Sequence, residues 1–188
     1  SGAVYLFSFA DQLFSTPVLE ARIGINYDSL GGQNRSILGM EPGDTISDIA
    51  LNGRRLAIAM SNDDGRANLL TDSGAVYLFT FGDDLFSDAE QVGILGAGYT
   101  SLFGLSLLDT GLEEQDNFAT AVSLDGNRLA VGARFDDGAT NTRLDSGAVY
   151  LFTFGDAQFG APVLQSIIGS GYSGGRNIAV GQLDADDL

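Results

Sequence analysis

Two short acidic stretches hold the side chains best suited to chemistry. Residues 61–72 read SNDDGRANLLTD and residues 134–145 read RFDDGATNTRLD. Asp63, Asp64, Asn68 and Asp72 of the first match Asp136, Asp137, Asn141 and Asp145 of the second, with a glycine after each aspartate pair. Calcium takes about six to eight oxygen ligands, several of them carboxylate, on a loop turned by glycine. Both stretches supply that chemistry, at a spacing that is not an EF-hand's. The same residues also suit a plain hairpin, in which Asp-Asp-Gly sets the turn and the last aspartate caps the next strand.

Three further sets of residues invite chemistry. Tyr27, Tyr99 and Tyr172 recur after a Gly or Asn and read as a ligand platform or as a corner packed by its ring. Asp184, Asp186 and Asp187 read as a cation site or a solvated loop. Arg54 and Arg128 flank a hairpin, where they bridge to neighbouring aspartates or to an adjacent acidic chain.

Composition argues against catalysis. His and Cys are absent and all nine basic residues are Arg, so no imidazole, thiol or amine can serve as base or nucleophile. Only a carboxylate pair remains, as in glycosidases, and no glycine-rich phosphate loop with a following Lys occurs. The expectation is a protein that is not an enzyme. The net charge of −16 argues against nucleic acid and anionic membrane surfaces as partners, because phosphate neutralisation needs a basic surface. It favours divalent cations or basic partners, or simply keeps an aromatic-rich chain soluble. No apolar run reaches membrane-spanning length.

The elements that position these residues repeat. SGAVYLF occurs at residues 1–7, 73–79 and 146–152, and extends to DSGAVYLFTFGD in the last two copies. Side chains alternate along a strand, so Val76 and Leu78 share one face and Ala75, Tyr77 and Phe79 the other. Both faces are apolar, which predicts a strand covered on both sides, in a sheet stacked between two others. Each copy leads to a second strand, residues 17–23, 90–95 and 162–168, and then to the Gly-Tyr corner. Asn26 replaces the corner glycine in the first copy and predicts a positive φ there.

A variable stretch follows, residues 28–44, 100–116 and 173–187, predicted as an outer loop or weak extra strand. In the middle copy Leu102, Phe103, Leu105, Leu107 and Leu108 are too apolar to lie free in water. Two strands in a tight hairpin come next, at residues 44–60 and 116–133, with Asn52-Gly53 and Asp125-Gly126 as turn signals. The expected unit is therefore four strands, ten in the chain, divided as residues 1–72, 73–145 and 146–188.

Asp116-Asn117-Phe118-Ala119, then Leu129-Ala130-Val131-Gly132-Ala133, then the SGAVYLF of residues 146–152 resemble the FG-GAP repeat. That repeat is the blade of integrin-α-like β-propellers, in the long form of large bacterial surface proteins. Phe118-Ala119 stands where Phe-Gly is usual, and Arg134 stands in the Pro place. The resemblance implies an all-β fold of propeller-like blades of four antiparallel strands, about two and a half of them. Integrin blades carry their calcium loop in the first hairpin. Here that hairpin is too short to wrap a cation, so Ca2+ does not carry over position by position.

Two and a half blades cannot close a ring, since propellers use about four to eight. The chain is then a fragment, or several chains complete a ring, or the units stack as an open array by nearest-neighbour contacts. The expected role is a non-enzymatic, extracellular or cell-surface structural or adhesive module, self-associating through its blade ends, with Ca2+ in the acidic loops. A propeller binding a carbohydrate or protein ligand is the alternative, and an accessory domain of a secreted enzyme a weaker one.

Overall fold

The computed structural model describes residues 2–28, 33–100, 106–108 and 110–180, and thirteen strands lie among them. The first sheet holds β1 (Ala3–Ser8), β2 (Val18–Gly24) and β3 (Arg35–Ser36). The second holds β4 (Asp48–Asn52), β5 (Arg55–Met60), β6 (Ala75–Thr80), β7 (Glu90–Gly96) and β8 (Ser106–Leu108). The third holds β9 (Phe118–Asp125), β10 (Arg128–Ala133), β11 (Ala148–Thr153), β12 (Val163–Ser170) and β13 (Ile178–Val180). Each sheet runs in chain order and none closes on itself.

The all-β architecture of open, propeller-like blades stands, with one correction. A complete blade has five strands rather than four. The extra strand comes from the variable stretch: beyond the Gly-Tyr corner the chain lays two or three residues parallel to the fourth strand. So short a segment carries no readable alternation. Leu102, Phe103 and Leu105, the side chains of Leu107 and Leu108, and Asp184, Asp186 and Asp187 lie outside the described residues.

The hairpin turns sit one residue later than the Asn-Gly and Asp-Gly signals suggest. Asn52 pairs with Arg55 and Asp125 with Arg128, so the loops are Gly53-Arg54 and Gly126-Asn127. Glycine takes the first loop position with φ 58° and 51°, as a type II′ turn requires. Asn26 adopts φ 60°, as the corner predicts.

The sheets stack face on face. Tyr77, Phe79, Phe81 and Phe86 of the second sheet pack against Val4, Leu6, Ala21 and Ile23 of the first. On its other side Ala57, Ala59, Val76, Leu78 and Leu95 pack against Phe118, Tyr150 and Phe152 of the third. All six residues of β6 are buried, so two-sided cover holds for the middle copy. In the outer copies only one face is covered. Tyr5 and Phe7 of β1 face outward, and Val149 and Leu151 of β11 are half-buried. A fully buried side chain of this kind contributes about 1.5–3 kcal/mol, so the inter-sheet faces carry much of the stability.

Candidate functional site

The first aspartate of each acidic loop points inward. Asp63 follows β5 and is buried, where Tyr77 and Tyr99 both donate their hydroxyls to its carboxylate. Its Oδ1 also takes the Gly65 N–H at 2.9 Å. Asp136 repeats the arrangement: Tyr150 donates at 2.6 Å, Tyr172 at 3.0 Å, and the Gly138 N–H at 2.8 Å. The backbone carbonyls of the two aspartates take the Gly74 and Gly147 N–H groups and the Ser73 and Ser146 hydroxyls. The Ser-Gly of the repeated motif therefore pins the start of its strand to the aspartate.

The tyrosines reach this point because of two glycines. Gly96 ends β7 and Gly169 is the last residue but one of β12, and a Cβ on either would meet the ring of Tyr99 or Tyr172 at 3.1 Å and 2.8 Å. The corner rings thus lie against bare backbone, with their hydroxyls aimed at the carboxylate.

The remaining acidic-loop residues also serve the loop. Asp64 and Asp137 accept the N–H of Asp72 and Asp145 across the turn. Asn68, Asn141, Asp72 and Asp145 sit at φ near 50°, a conformation that Asn and Asp tolerate better than other side chains. Asn68 donates to Glu41 and Asn141 to Glu113. Glu41, Asp44, Glu113 and Asp116 belong to this neighbourhood and escaped the sequence reading, although both pairs share an E-x-x-D spacing.

Burial shapes the electrostatics. Desolvation pushes Asp63 up to about 6, against the lowering bonds from Tyr77 and Gly65, with Asp44 adding repulsion. Asp116 rises to about 7 through burial and the nearby charges of Asp136, Glu113 and Asp137. Tyr77, Tyr99, Tyr150 and Tyr172 all rise, chiefly through burial. The phenols donate and the carboxyl oxygens of Asp63 and Asp136 accept, so each cluster is a structural lock.

The fit to calcium is accordingly divided. Asp63 and Asp136 have their oxygens engaged by tyrosine, and no group of three or more metal-ligating side chains occurs among the described residues. A cleft of about 260 Å³ is lined by Glu41, Asp64, Asn68 and Asp72 together with the buried Asp44. Tyr99 and Tyr172 are bound into the locks, while Tyr27 lies 3.5 Å from the Tyr5 hydroxyl.

Arg54 bridges to Asp84 at 2.8 Å on the surface, the plain reading of that residue. The strand register aligns Arg128 with Arg55 rather than Arg54. Arg55 was not singled out in the sequence. It crosses between sheets, lies 3.8 Å over the Phe159 ring, and donates to the Gly126 carbonyl and to Asn127. A buried arginine stacked on phenylalanine has no one-dimensional signature.

The family model of the FG-GAP repeat matches residues 106–152. That interval reaches from β8 into β11 and contains Phe118-Ala119, the third SGAVYLF, and Asp136 and Tyr150 of the lock but not Tyr172. FG-GAP repeats build integrin-like β-propeller modules, are generally non-catalytic, are typically extracellular, and in general can hold calcium. No curated protein and no solved structure matches the chain. No helix among the described residues is long and apolar enough to cross a membrane.

Proposed function

We propose that the chain is a non-enzymatic structural or adhesive repeat module of a large bacterial surface protein, working outside the cell and self-associating through its blade ends. One observation carries this reading. The two outer sheet faces are copies of faces that already mate inside the molecule. The third sheet leaves Ala130, Val149, Leu151 and Ile168 partly open, and their counterparts Ala57, Val76, Leu78 and Leu95 are buried against the Tyr/Phe face of the next sheet. The first sheet leaves that Tyr/Phe face open, with Tyr5 50% and Phe14 71% exposed. Tyr5, Phe7, Phe9 and Phe14 together open about 400 Å², roughly half of what a standard interface takes from each partner. Stacking one copy's third sheet on another's first repeats a contact the sequence already makes twice.

Particle mass and shape at physiological salt test this. Head-to-tail oligomers, rings or filaments are expected, and Phe14→Asp is expected to disperse them. A monodisperse monomer at high concentration removes self-association, and glycan affinity of that monomer favours the ligand-binding alternative.

Calcium belongs to the same proposal, at the outer oxygens of Asp64, Asn68, Asp72 and Glu41 and their counterparts Asp137, Asn141, Asp145 and Glu113. The support is the solvent-facing acidic cleft and the family's general capacity. Millimolar calcium is expected to raise the melting temperature, and Asp64→Asn with Asp137→Asn to abolish the rise. An unchanged melt removes calcium from the reading.

A further inference from the structure

One row of side chains crosses the second sheet at its hairpin end. The register pairs Arg55 with Thr80 and Thr80 with Glu90. Directly paired residues share a face of the sheet, and Arg55 lies over Phe159, so the row stands on the side that faces the third sheet. A cleft of about 450 Å³ opens there, lined by these three residues and by Arg54, Asp88 and Gln158 among others. That is a usual size for a small-molecule site. Its walls come from the second sheet and from the turn between β11 and β12.

Two observations mark this cleft. The first is Arg55, which is only 6% exposed. Its Nη1 donates to the Gly126 carbonyl and to Asn127, whereas Nε and Nη2 have no acceptor among the described residues. Asp156, whose charge favours the guanidinium, spends its Oδ1 on the N–H groups of Gln158 and Gly160 instead. A buried cation with unmet N–H groups costs stability until a partner arrives. The Nε–Nη2 edge is the fork that grips a carboxylate by two parallel bonds. The second observation is a departure from the repeat. The register puts Val18 and Val163 in the first and third sheets where the second has Glu90. Two residues earlier the three copies read Thr16, Asp88 and Ala161. Only the middle copy carries carboxylates here, both of them exposed and neither in an ion pair among the described residues. Two strand spacings, about 10 Å, separate Glu90 from Arg55 along the row.

We propose that the cleft binds a small carboxylate that carries hydrogen-bond donors at its other end, an acidic sugar or an amino acid. The carboxylate takes the Nε–Nη2 fork of Arg55. Hydroxyls or an ammonium at the far end donate to Glu90 and Asp88, with Thr80 between the two ends of the row. A phosphate fits less well, because its second charge would meet those two carboxylates. The site goes beyond the structural role proposed above and does not depend on self-association, since both walls belong to one chain.

Isothermal titration calorimetry of the full chain tests this with three probes: glucuronate, L-alanine and glucose. Saturable one-to-one binding of glucuronate or of L-alanine is expected, with a Kd of about 1 mM or tighter, and whichever binds more tightly names the ligand class. Glucose has hydroxyls but no carboxylate, and is expected to bind at least about tenfold more weakly. Arg55→Lys keeps the charge and loses the fork, and is expected to weaken binding about tenfold or more. Glu90→Val installs the residue of the other two sheets, and is expected to weaken it about tenfold with an unchanged circular dichroism spectrum. That second variant decides the matter where Arg55→Lys does not fold. Silence from both acids at about 10 mM, glucose binding equal to that of glucuronate, or full affinity in either folded variant overturns the inference.

Discussion

Tyr150 donates its hydroxyl to Asp136 Oδ2 at 2.6 Å, from the strand that follows the aspartate's own loop. Tyr172 approaches the same carboxylate from beyond the next strand, at 3.0 Å. One carboxylate thus joins three consecutive segments of a blade, and Asp63 joins their counterparts in the middle blade. The first aspartate of each acidic loop is the fastener of the repeat.

Loss of that fastener is measurable. Asp136→Ala strands two largely buried hydroxyls and is expected to lower stability by about 2–4 kcal/mol. Tyr150→Phe leaves Asp136 bonded to Tyr172 and Gly138, and is expected to lose about 1 kcal/mol. Urea unfolding with the two variants compared checks the order. Asp136→Ala as stable as Tyr150→Phe would sink the fastener.

Stability should fall as pH rises towards neutrality, and Asp116 should be one cause. Its pKa of about 7 stands above the ordinary carboxylate value of 3.8. A carboxyl with a raised folded pKa binds its proton more tightly in the fold. Its contribution is full below pH 4 and is lost as pH passes through about 7. Partial exposure screens the effect to about 1–2 kcal/mol. Asp116→Asn is expected to flatten the melting-temperature slope between those limits, beyond what general acidic repulsion leaves. An unchanged slope in that variant refutes the assignment.

What the sequence disclosed depended on how local the cause was. β6 and its two-sided burial were legible because alternation and apolarity are properties of seven adjacent residues. Asn26 at positive φ was legible from a single substitution. Ala119 shows the same logic from the opposite side: it sits at φ 68° where the repeat usually has glycine, so the usual residue reports a left-handed backbone. The parallel fifth strands were legible only as one of two alternatives, a weak extra strand or an outer loop, because each pairs over two or three residues. The inward turn of Asp63 was obscured because its partners, Tyr77 and Tyr99, lie 14 and 36 residues away. Asp-Asp-Gly reads alike for a turn and for a cation loop, and only the corner tyrosines decide which way the first aspartate faces.

Arg55 should fasten the second sheet to the third. Its guanidinium lies over Phe159 at 3.8 Å and 5.5 Å from Phe154, and it donates to the Gly126 carbonyl. Arg55→Ala removes the stacking, the hydrogen bonds and the covered stem, an expected loss of about 2–3 kcal/mol. Arg55→Met keeps the stem and should recover part of that. Equal losses for the two variants in denaturant titration would mean that packing of the stem contributes nothing.

Two glycines at positive φ should respond very differently to the same methyl group. Gly74 has φ 86°, and a Cβ there would lie 1.9 Å from the Phe118 carbonyl oxygen. Phe118 opens β9, and its N–H bonds to the Ser73 carbonyl, so the clash falls on the seam between the second and third sheets. Neither backbone can yield without parting the aromatic core, and Gly74→Ala is expected to cost more than about 3 kcal/mol or to prevent folding. Gly126 has φ 51° with nothing within 4 Å of its Cβ position. Gly126→Ala carries only the left-handed penalty, about 1–2 kcal/mol, and should fold. Because both substitutions add one methyl at positive φ, their difference isolates the seam. Thermal melts of the pair decide it, and equal melting temperatures would show that the second and third sheets do not meet at Gly74.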